Sequence, residues 1–89
     1  MNFIAIIGIV DQLTASVYNG FTTLKLKVEK PAIEAHDEDY YDVIDILVDV
    51  ESFKNELDTI TNGTVVGIKG RAKLINNNMQ LISERLQVF

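Results

Sequence analysis

Apolar and polar residues alternate through much of this sequence, and the pattern is clearest at positions 21–28. One face of that segment is apolar and the other is polar and basic: Leu24, Leu26 and Val28 against Thr23, Lys25 and Lys27. A period of two is typical of a β-strand that buries one face. The pattern recurs at 64–75, where we expect an inner and an outer face: Val66, Ile68, Ala72 and Leu74 against Lys69, Arg71 and Lys73.

Three further segments, rich in apolar and β-branched residues, predict strands at 3–10, 41–48 and 79–89. Residues that favour turns lie between the strands. The Asn-Gly pair at 19–20 precedes the second strand, and the asparagines at 76–78 predict a hairpin between the last two. The alternation of the fifth segment is imperfect, which predicts a β-bulge or an additional buried face there.

A short helix is predicted between the third and fourth strands. Asp49 is placed to cap it, since its carboxylate accepts the free amide hydrogens of a first turn. Val48 and Phe53 suit a hydrophobic staple across that cap, and Asn62-Gly63 suits the C-terminal end. Three strands, a helix and two strands predict an all-β OB-fold, with one domain over 1–89. In that fold a five-stranded closed barrel is plugged by the helix.

The composition is that of a folded chain, with 47% hydrophobic and 24% charged residues. Cysteine is absent, which excludes disulfides and thiolate metal sites and fits the cytosol. The apolar start, 1–10, lacks the basic residues of a secretory signal and is too short to span a bilayer, so no membrane association is expected.

The net charge of −5 argues against bulk attraction to nucleic acid. The charges are unevenly distributed, however. Eleven of the thirteen acids lie between Glu29 and Asp58, and basic residues predominate on either side of that segment. The sequence is therefore acidic in the middle and basic towards both ends.

Three segments resemble the bacterial single-stranded DNA-binding (SSB) family. The opening Met1-Asn2, followed by an apolar strand and Gly8, is similar to the start of family members. Residues 62–71 read Asn-Gly-Thr-Val-Val-Gly-Ile-Lys-Gly-Arg and resemble the family's Gly-Ser/Thr-x-Val-x-Val/Ile-x-Gly-Arg strand, which is the most specific match. Residues 86–89, Leu-Gln-Val-Phe, resemble the family's closing Val-Gln-Phe-Leu.

The resemblance implies sequence-tolerant binding of single-stranded DNA, in replication, recombination or repair, by a homo-oligomer, either a dimer or a tetramer. It implies no cofactor. Family members usually continue into a flexible linker and an acidic tip that recruits other enzymes. Because the sequence stops at Phe89, we expect no recruitment through such a tail.

The outward basic residues of the second and fourth strands are the candidate phosphate ligands: Lys25, Lys27, Lys69, Arg71 and Lys73. The candidate platforms for stacking bases are aromatic: Tyr18, Phe21, Tyr40 and Tyr41. A groove that binds a single strand combines positive charge with flat rings. An alternative for the lysines is that they only solubilise the outer face of the barrel. An alternative for the aromatic residues is that Phe21 packs inward, which leaves Tyr40 or Tyr41 for stacking.

The first strand is apolar on both faces, although one side of a small barrel normally meets water. This predicts a subunit interface that includes Phe3, Ile4 and Ile6, the role that the resemblance also gives this strand. The alternative is that the helix or a loop covers the second face. The rival function is that of a protein-interaction module, an OB-fold that has kept this interface and lost DNA binding.

The loop at 29–39 is acidic where the family is often basic. Its cluster of Glu34, Asp37, Glu38 and Asp39 is expected to repel phosphates if the loop lies near the groove. With His36 the cluster offers the ligand types of a metal site, but its spacing matches no calcium loop. The other acids, Asp42 and Asp45 among them, accompany no nucleophile or phosphate cradle, so we expect neither a metal nor an enzyme.

Overall fold

A computed structural model describes residues 2–14, 17–30 and 40–89 of the chain. Within those ranges it contains five strands and one helix, in the predicted order: β1 (Ile4–Leu13), β2 (Phe21–Glu29), β3 (Tyr41–Asp49), α1 (Lys54–Thr59), β4 (Val65–Ile75) and β5 (Asn78–Val88). No helix in this described part of the chain has the length and hydropathy needed to cross a bilayer.

The strands close into a barrel in the order β1-β2-β3-β5-β4. All neighbours are antiparallel except β3 and β5, which run parallel where Ile46 and Leu47 lie opposite Leu81 and Ile82. β1 closes the barrel because it pairs with β4 up to Ile9 and with β2 from Ile9 onwards. The predicted all-β OB-fold, with its five-stranded closed barrel and short helix, is confirmed.

The core follows the alternation of the strands. The buried apolar side chains of the described residues form one cluster: Val10, Leu24, Leu26, Ile46, Val48, Ile60, Val66 and Ile68. Phe53 and Leu57 pack against it from the helical segment, so the helix covers one end of the barrel. Burying a side chain of this size stabilises the fold by about 1.5–3 kcal/mol, and the cluster therefore dominates folding.

Two β-bulges interrupt the ladders. On β1 the register with β2 skips Asp11, which lies between Val10 and Gln12. On β5 the register with β4 skips Glu84, because Lys69 lies opposite Arg85 and Gly70 opposite Ser83. The predicted irregularity of the fifth strand is therefore a bulge. Each bulge adds one acidic residue that has no partner in the ladder.

The distal part of β4, residues 71–75, pairs with β5 alone and forms an arm beyond the barrel. Asn76 and Asn77 both have positive φ, at 52° and 64°, as a two-residue hairpin turn requires. Leu74 was expected on the inner face, but it is 70% exposed because the arm extends beyond the barrel and its core. That prediction is wrong, although the alternation itself continues.

The start of the helix also differs from the prediction. Helix α1 begins at Lys54, and Phe53 occupies the cap position without a side-chain cap. The carboxylate of Asp49 accepts hydrogen bonds from the amides of Glu51 and Ser52, at 3.0 and 3.1 Å, and so closes the preceding turn. Asp49 is therefore not the N-cap of α1, although its carboxylate accepts amide hydrogen bonds of the kind expected.

The end of the helix differs in a similar way. The helix ends at Thr59, and Ile60 is its C-cap. Asn62-Gly63 makes a later turn instead, with Gly63 at φ +93°.

Candidate nucleic-acid interface

One broad outer surface spans four strands and is called here the wide face. It consists of the outward side chains of β2, β3 and β5 and of the β4 arm. A row runs straight across it, because Thr23 lies opposite Leu47, Leu47 opposite Ile82, and Ile82 opposite Arg71. The OB-fold commonly binds oligonucleotides on the corresponding surface, near strands two and three and the loops at its edge.

The wide face contains a hollow of about 370 Å³ beside the turn that precedes β2. Tyr18, Phe21, Leu47 and Ile75 are the large apolar or aromatic residues that line it, and Thr23 and Gln80 add polar groups. Tyr18 is 81% exposed, whereas Phe21 is half-buried. The exposed ring of Tyr18 and the half-buried ring of Phe21 provide flat surfaces on which nucleic-acid bases stack.

The turn holds the two aromatic residues together. The backbone amide of Tyr18 donates to the carbonyl of Phe21 at 2.9 Å, and the reverse bond measures 3.0 Å. Asn19 and Gly20 between them both have positive φ, at 53° and 82°. Asn and Gly are the residues that adopt such angles most readily, so the predicted turn holds the backbones of Tyr18 and Phe21 side by side.

The basic residues of the wide face are mostly ion-paired. Lys25 Nζ lies 3.7 Å from Asp45 Oδ1, directly across the β2–β3 ladder. Lys27 Nζ lies 3.4 Å from Asp11 Oδ1, and Arg71 Nε lies 3.7 Å from Glu84 Oε2. Lys73, opposite Gln80 on the arm, forms no ion pair with any residue in the described ranges.

Lys69 lies apart from the other basic candidates. It is opposite Ala5 of β1 and lines a second groove, of about 670 Å³, together with Ile7, Gly67 and Phe89. The structure therefore brings Lys25, Lys27, Arg71 and Lys73 to one surface and places Lys69 on another.

Tyr40 and Tyr41 lie at the far end of the β2–β3 ladder, away from the hollow. The carbonyl of Tyr40 accepts a hydrogen bond from Lys30, and Tyr41 lies opposite Glu29. Both rings are exposed. The aromatic candidates thus form two separate groups, of which only Tyr18 and Phe21 share the hollow.

The outer surface around β1 is called here the β1 face, and it is mainly apolar. Phe3 and Ile7 are 66% and 68% exposed, and Val65 and Phe89 are exposed beside them. Among the described residues, positions 4–7 of β1 pair with β4 only, and no strand of these ranges pairs with their other edge.

Of the three residues expected at a subunit interface, only Phe3 points outward. Ile6 packs against the core, and Ile4 shares its inner side of the strand.

Several residues of the wide face were not identified from the sequence. The period of β3 places Leu47 outward and was a usable signal. Ile82 and Gln80 join the surface through the parallel β3–β5 pairing and the β5 bulge, neither of which is encoded locally. The acidic cluster at 34–39, including His36, lies outside the described residues, and those residues contain no cluster of potential metal ligands.

No family model matches the sequence, and a comparison with curated proteins finds no match. Solved structures do match. The PriB protein of Ralstonia solanacearum has a TM-score of 0.74 at 17% identity, over 99% of this chain and 97% of that one. The dimeric N-terminal domain of PriB from Thermoanaerobacter tencongensis has a TM-score of 0.72 at 19% identity, over 99% and 96%.

A mitochondrial single-stranded DNA-binding protein of S. cerevisiae gives a TM-score of 0.72 at 15% identity, over 98% of this chain and 92% of that one. The chain has an SSB-like OB fold. At these identities the likeness establishes the fold, and the ligand has to be argued from the wide face itself.

Proposed function

We propose that this chain binds single-stranded DNA on the wide face with little sequence preference. The observation that carries the proposal is the hollow at Tyr18 and Phe21. Two of its lining residues adjoin basic residues: Thr23 precedes Lys25 on the same face of β2, and Gln80 lies opposite Lys73 on the arm. The names of the similar structures, which include a single-stranded DNA-binding protein, support the same ligand.

Binding on this face would combine two interactions. Bases stack on Tyr18 and Phe21, and every base has a π-face, which makes the contact tolerant of sequence. Phosphates meet the ammonium groups of Lys25, Lys27 and Lys73 along the edges of the hollow. The proposal involves no catalytic step, and its cellular setting is replication, recombination or repair in the cytoplasm, where single strands are exposed.

The second part of the proposal is a homo-oligomer assembled through the β1 face. Phe3, Ile7 and Val65 expose apolar surface there, and alongside lies a strand edge with which no described strand pairs. Exposed apolar patches of this kind mark association surfaces, and an unpaired edge adds hydrogen bonds to a second strand. The dimeric PriB domain is consistent with a dimer.

A titration of fluorescent oligo-dT tests the DNA proposal. Anisotropy should rise at low salt with micromolar protein, and the affinity should fall as salt increases, because phosphate contacts release counterions. A duplex of equal length should bind more weakly. Absence of oligo-dT binding at low salt would overturn the proposal.

A protein-interaction module is the second candidate, and the apolar groove of the β1 face is the observation that favours it. The two candidates differ in what a charge substitution on the β1 face does. Ile7→Glu should leave DNA binding per protomer largely intact if the wide face is the site. If the chain is only an interaction module, oligo-dT does not bind with or without the substitution.

A further inference from the structure

Three basic residues of the wide face, Lys25, Lys27 and Arg71, are each held by a carboxylate of the same chain. We infer that the three carboxylates, on Asp45, Asp11 and Glu84, are selectivity groups that favour single-stranded over double-stranded DNA. This inference rests on the proposed function and adds residues to it that neither the stacking hollow nor the basic rows include.

The strand pairing sets the positions of the three acids. Asp11 and Glu84 are the two residues that the β-bulges add to β1 and β5. Bulges are known to re-aim side chains, and each of these places a carboxylate within 4 Å of a basic side chain on the next strand. Asp45 reaches Lys25 through an ordinary cross-strand pair.

The ion pairs are weak enough to exchange. Their distances are 3.4–3.7 Å, and both partners of every pair are substantially exposed. Exposed pairs contribute little to stability, so folding alone gives little reason to keep them. Their effect on a ligand is larger, because each carboxylate lies well within one Debye length, about 10 Å at 0.1 M salt, of any phosphate that reaches its basic partner.

Single and double strands respond differently to such a surface. A single strand is flexible and stacks its bases in the hollow, so its backbone can pass the carboxylates at a distance. A duplex keeps its bases paired, is stiff over tens of base pairs and presents mainly a fixed, dense array of phosphates. The acids therefore penalise the duplex more than the single strand.

The test replaces the acids by their amides, in the triple variant Asp11→Asn, Asp45→Asn, Glu84→Gln. Affinities for oligo-dT and for a duplex of equal length are measured at about 50 mM and about 200 mM salt. Duplex affinity should rise on the order of tenfold at the lower salt, and oligo-dT affinity by roughly two- to threefold. The logarithmic salt dependence should steepen by up to about 0.9 per released cation on the duplex and about 0.7 on the single strand.

A matched control removes the same charge elsewhere. Glu51→Gln, Glu56→Gln, Asp58→Asn changes three acids around α1 that form no ion pair with any described residue. It should change both affinities little and leave their ratio unchanged. In a second control, Asp45→Asn in a Lys25→Gln background should give a smaller gain than in the unmodified protein, because only the direct repulsion is removed and there is no lysine to release. Thermal unfolding checks that every variant is folded.

Every outcome decides the matter. Equal gains in the triple variant and the α1 control, or equal gains for both DNA forms, overturn the inference. If the unmodified protein binds no oligo-dT but the triple variant binds duplex, the proposed function fails. The conclusion that the three carboxylates oppose duplex binding then still stands. If no variant binds any DNA, both fail.

Discussion

The wide face and the β1 face lie on one barrel and share β4, yet they present different chemistry. The wide face carries two aromatic residues in a hollow and a set of ion-paired basic residues. The β1 face carries exposed Phe3, Ile7, Val65 and Phe89 beside a strand that is paired on one edge over 4–7 in the described residues. The first is the surface on which we propose DNA binding, and the second is the surface on which we propose self-association.

Alternation alone does not determine which surface a side chain joins. β4 projects Lys69, Arg71 and Lys73 from the same side, but Lys69 adjoins β1 whereas Lys73 lies on the free arm. The division falls at Gly70, where pairing with β1 ends and the β5 bulge begins. What a side chain does therefore depends on which strands flank it.

The largest effect is expected from Gly70→Ala, because Gly70 lies where the wide face and the β1 face meet and the substitution disturbs the β4–β5 pairing there. A Cβ there would lie 1.9 Å from the carbonyl oxygen of Ile82, and only a backbone shift relieves such a contact. The free energy of unfolding should fall by about 3 kcal/mol, the upper end of the usual cost of overpacking, measured by chemical denaturation.

Gly67→Ala is the control for that substitution. Its Cβ meets the Phe89 ring at 3.0 Å, an exposed side chain that can rotate away. Equal destabilisation by the two substitutions would contradict the assignment of Gly70 as the fixed junction.

The next effect separates the faces by function. Ile7→Glu introduces a charge into the proposed apolar interface and should convert the oligomer to a folded monomer in sedimentation experiments, because burying an unpaired charge is costly. Val43→Glu is the corresponding change on the wide face, at an exposed valine on β3. It should leave assembly unchanged and weaken oligo-dT binding by adding a charge beside Lys27.

A monomeric unmodified protein at high micromolar concentration would refute the proposed interface. Ile6, which the sequence also predicted at the interface, is unsuitable for this test. Ile6 contacts the core, so a glutamate there unfolds the barrel instead of splitting an assembly.

A smaller effect is expected from the hollow. Tyr18→Ala should weaken oligo-dT binding about tenfold, in line with the free energy of one stacked base, while Tyr18→Phe should retain most of the affinity. Tyr40→Ala, at the other end of the β2–β3 ladder, should have less effect. If Tyr18→Ala binds as the unmodified protein does, the hollow is not the stacking site.

The smallest effect concerns the anchor of the arm. The side chain of Asn2 donates to the carbonyl of Ala72 and accepts from its amide at 2.9 Å, and so extends the β1–β4 ladder beyond Gly70. Asn2→Ala should cost about 1 kcal/mol and speed hydrogen exchange at Ala72. Asn2→Asp keeps the acceptor and should protect that amide better than Asn2→Ala does; equal exchange in the three proteins would show that Asn2 does not anchor the arm.

The barrel was predictable because β2 and β4 alternate with a period of two and the other three strands are rich in apolar and β-branched residues. The outward basic row of β4 and the inward Leu24 and Leu26 of β2 are where alternation places them. Leu74 was misplaced because alternation does not say where a strand leaves its barrel. Asp49 was misassigned because an aspartate that closes a turn has the same local sequence as one that caps a helix.

The site was less predictable than the fold. The ion pairs of Lys27 and Arg71 depend on two bulges, and the position of Ile82 depends on a pairing between β3 and β5, segments distant in sequence. Such contacts arise from the closed barrel as a whole. A pattern within one strand indicates which side chains point outward, but not which of them meet.

The most direct test of the central claim is a titration of the ¹⁵N-labelled protein with oligo-dT, followed by the backbone amide shifts of each residue. The shifts should concentrate at residues 18–27, 43–47, 71–75 and 80–82, on the wide face. The amides of Ile7, Val65 and Gly67 should change little. Shifts confined to the β1 face, or no shifts at all at saturating oligo-dT, would contradict the assignment of DNA binding to the wide face.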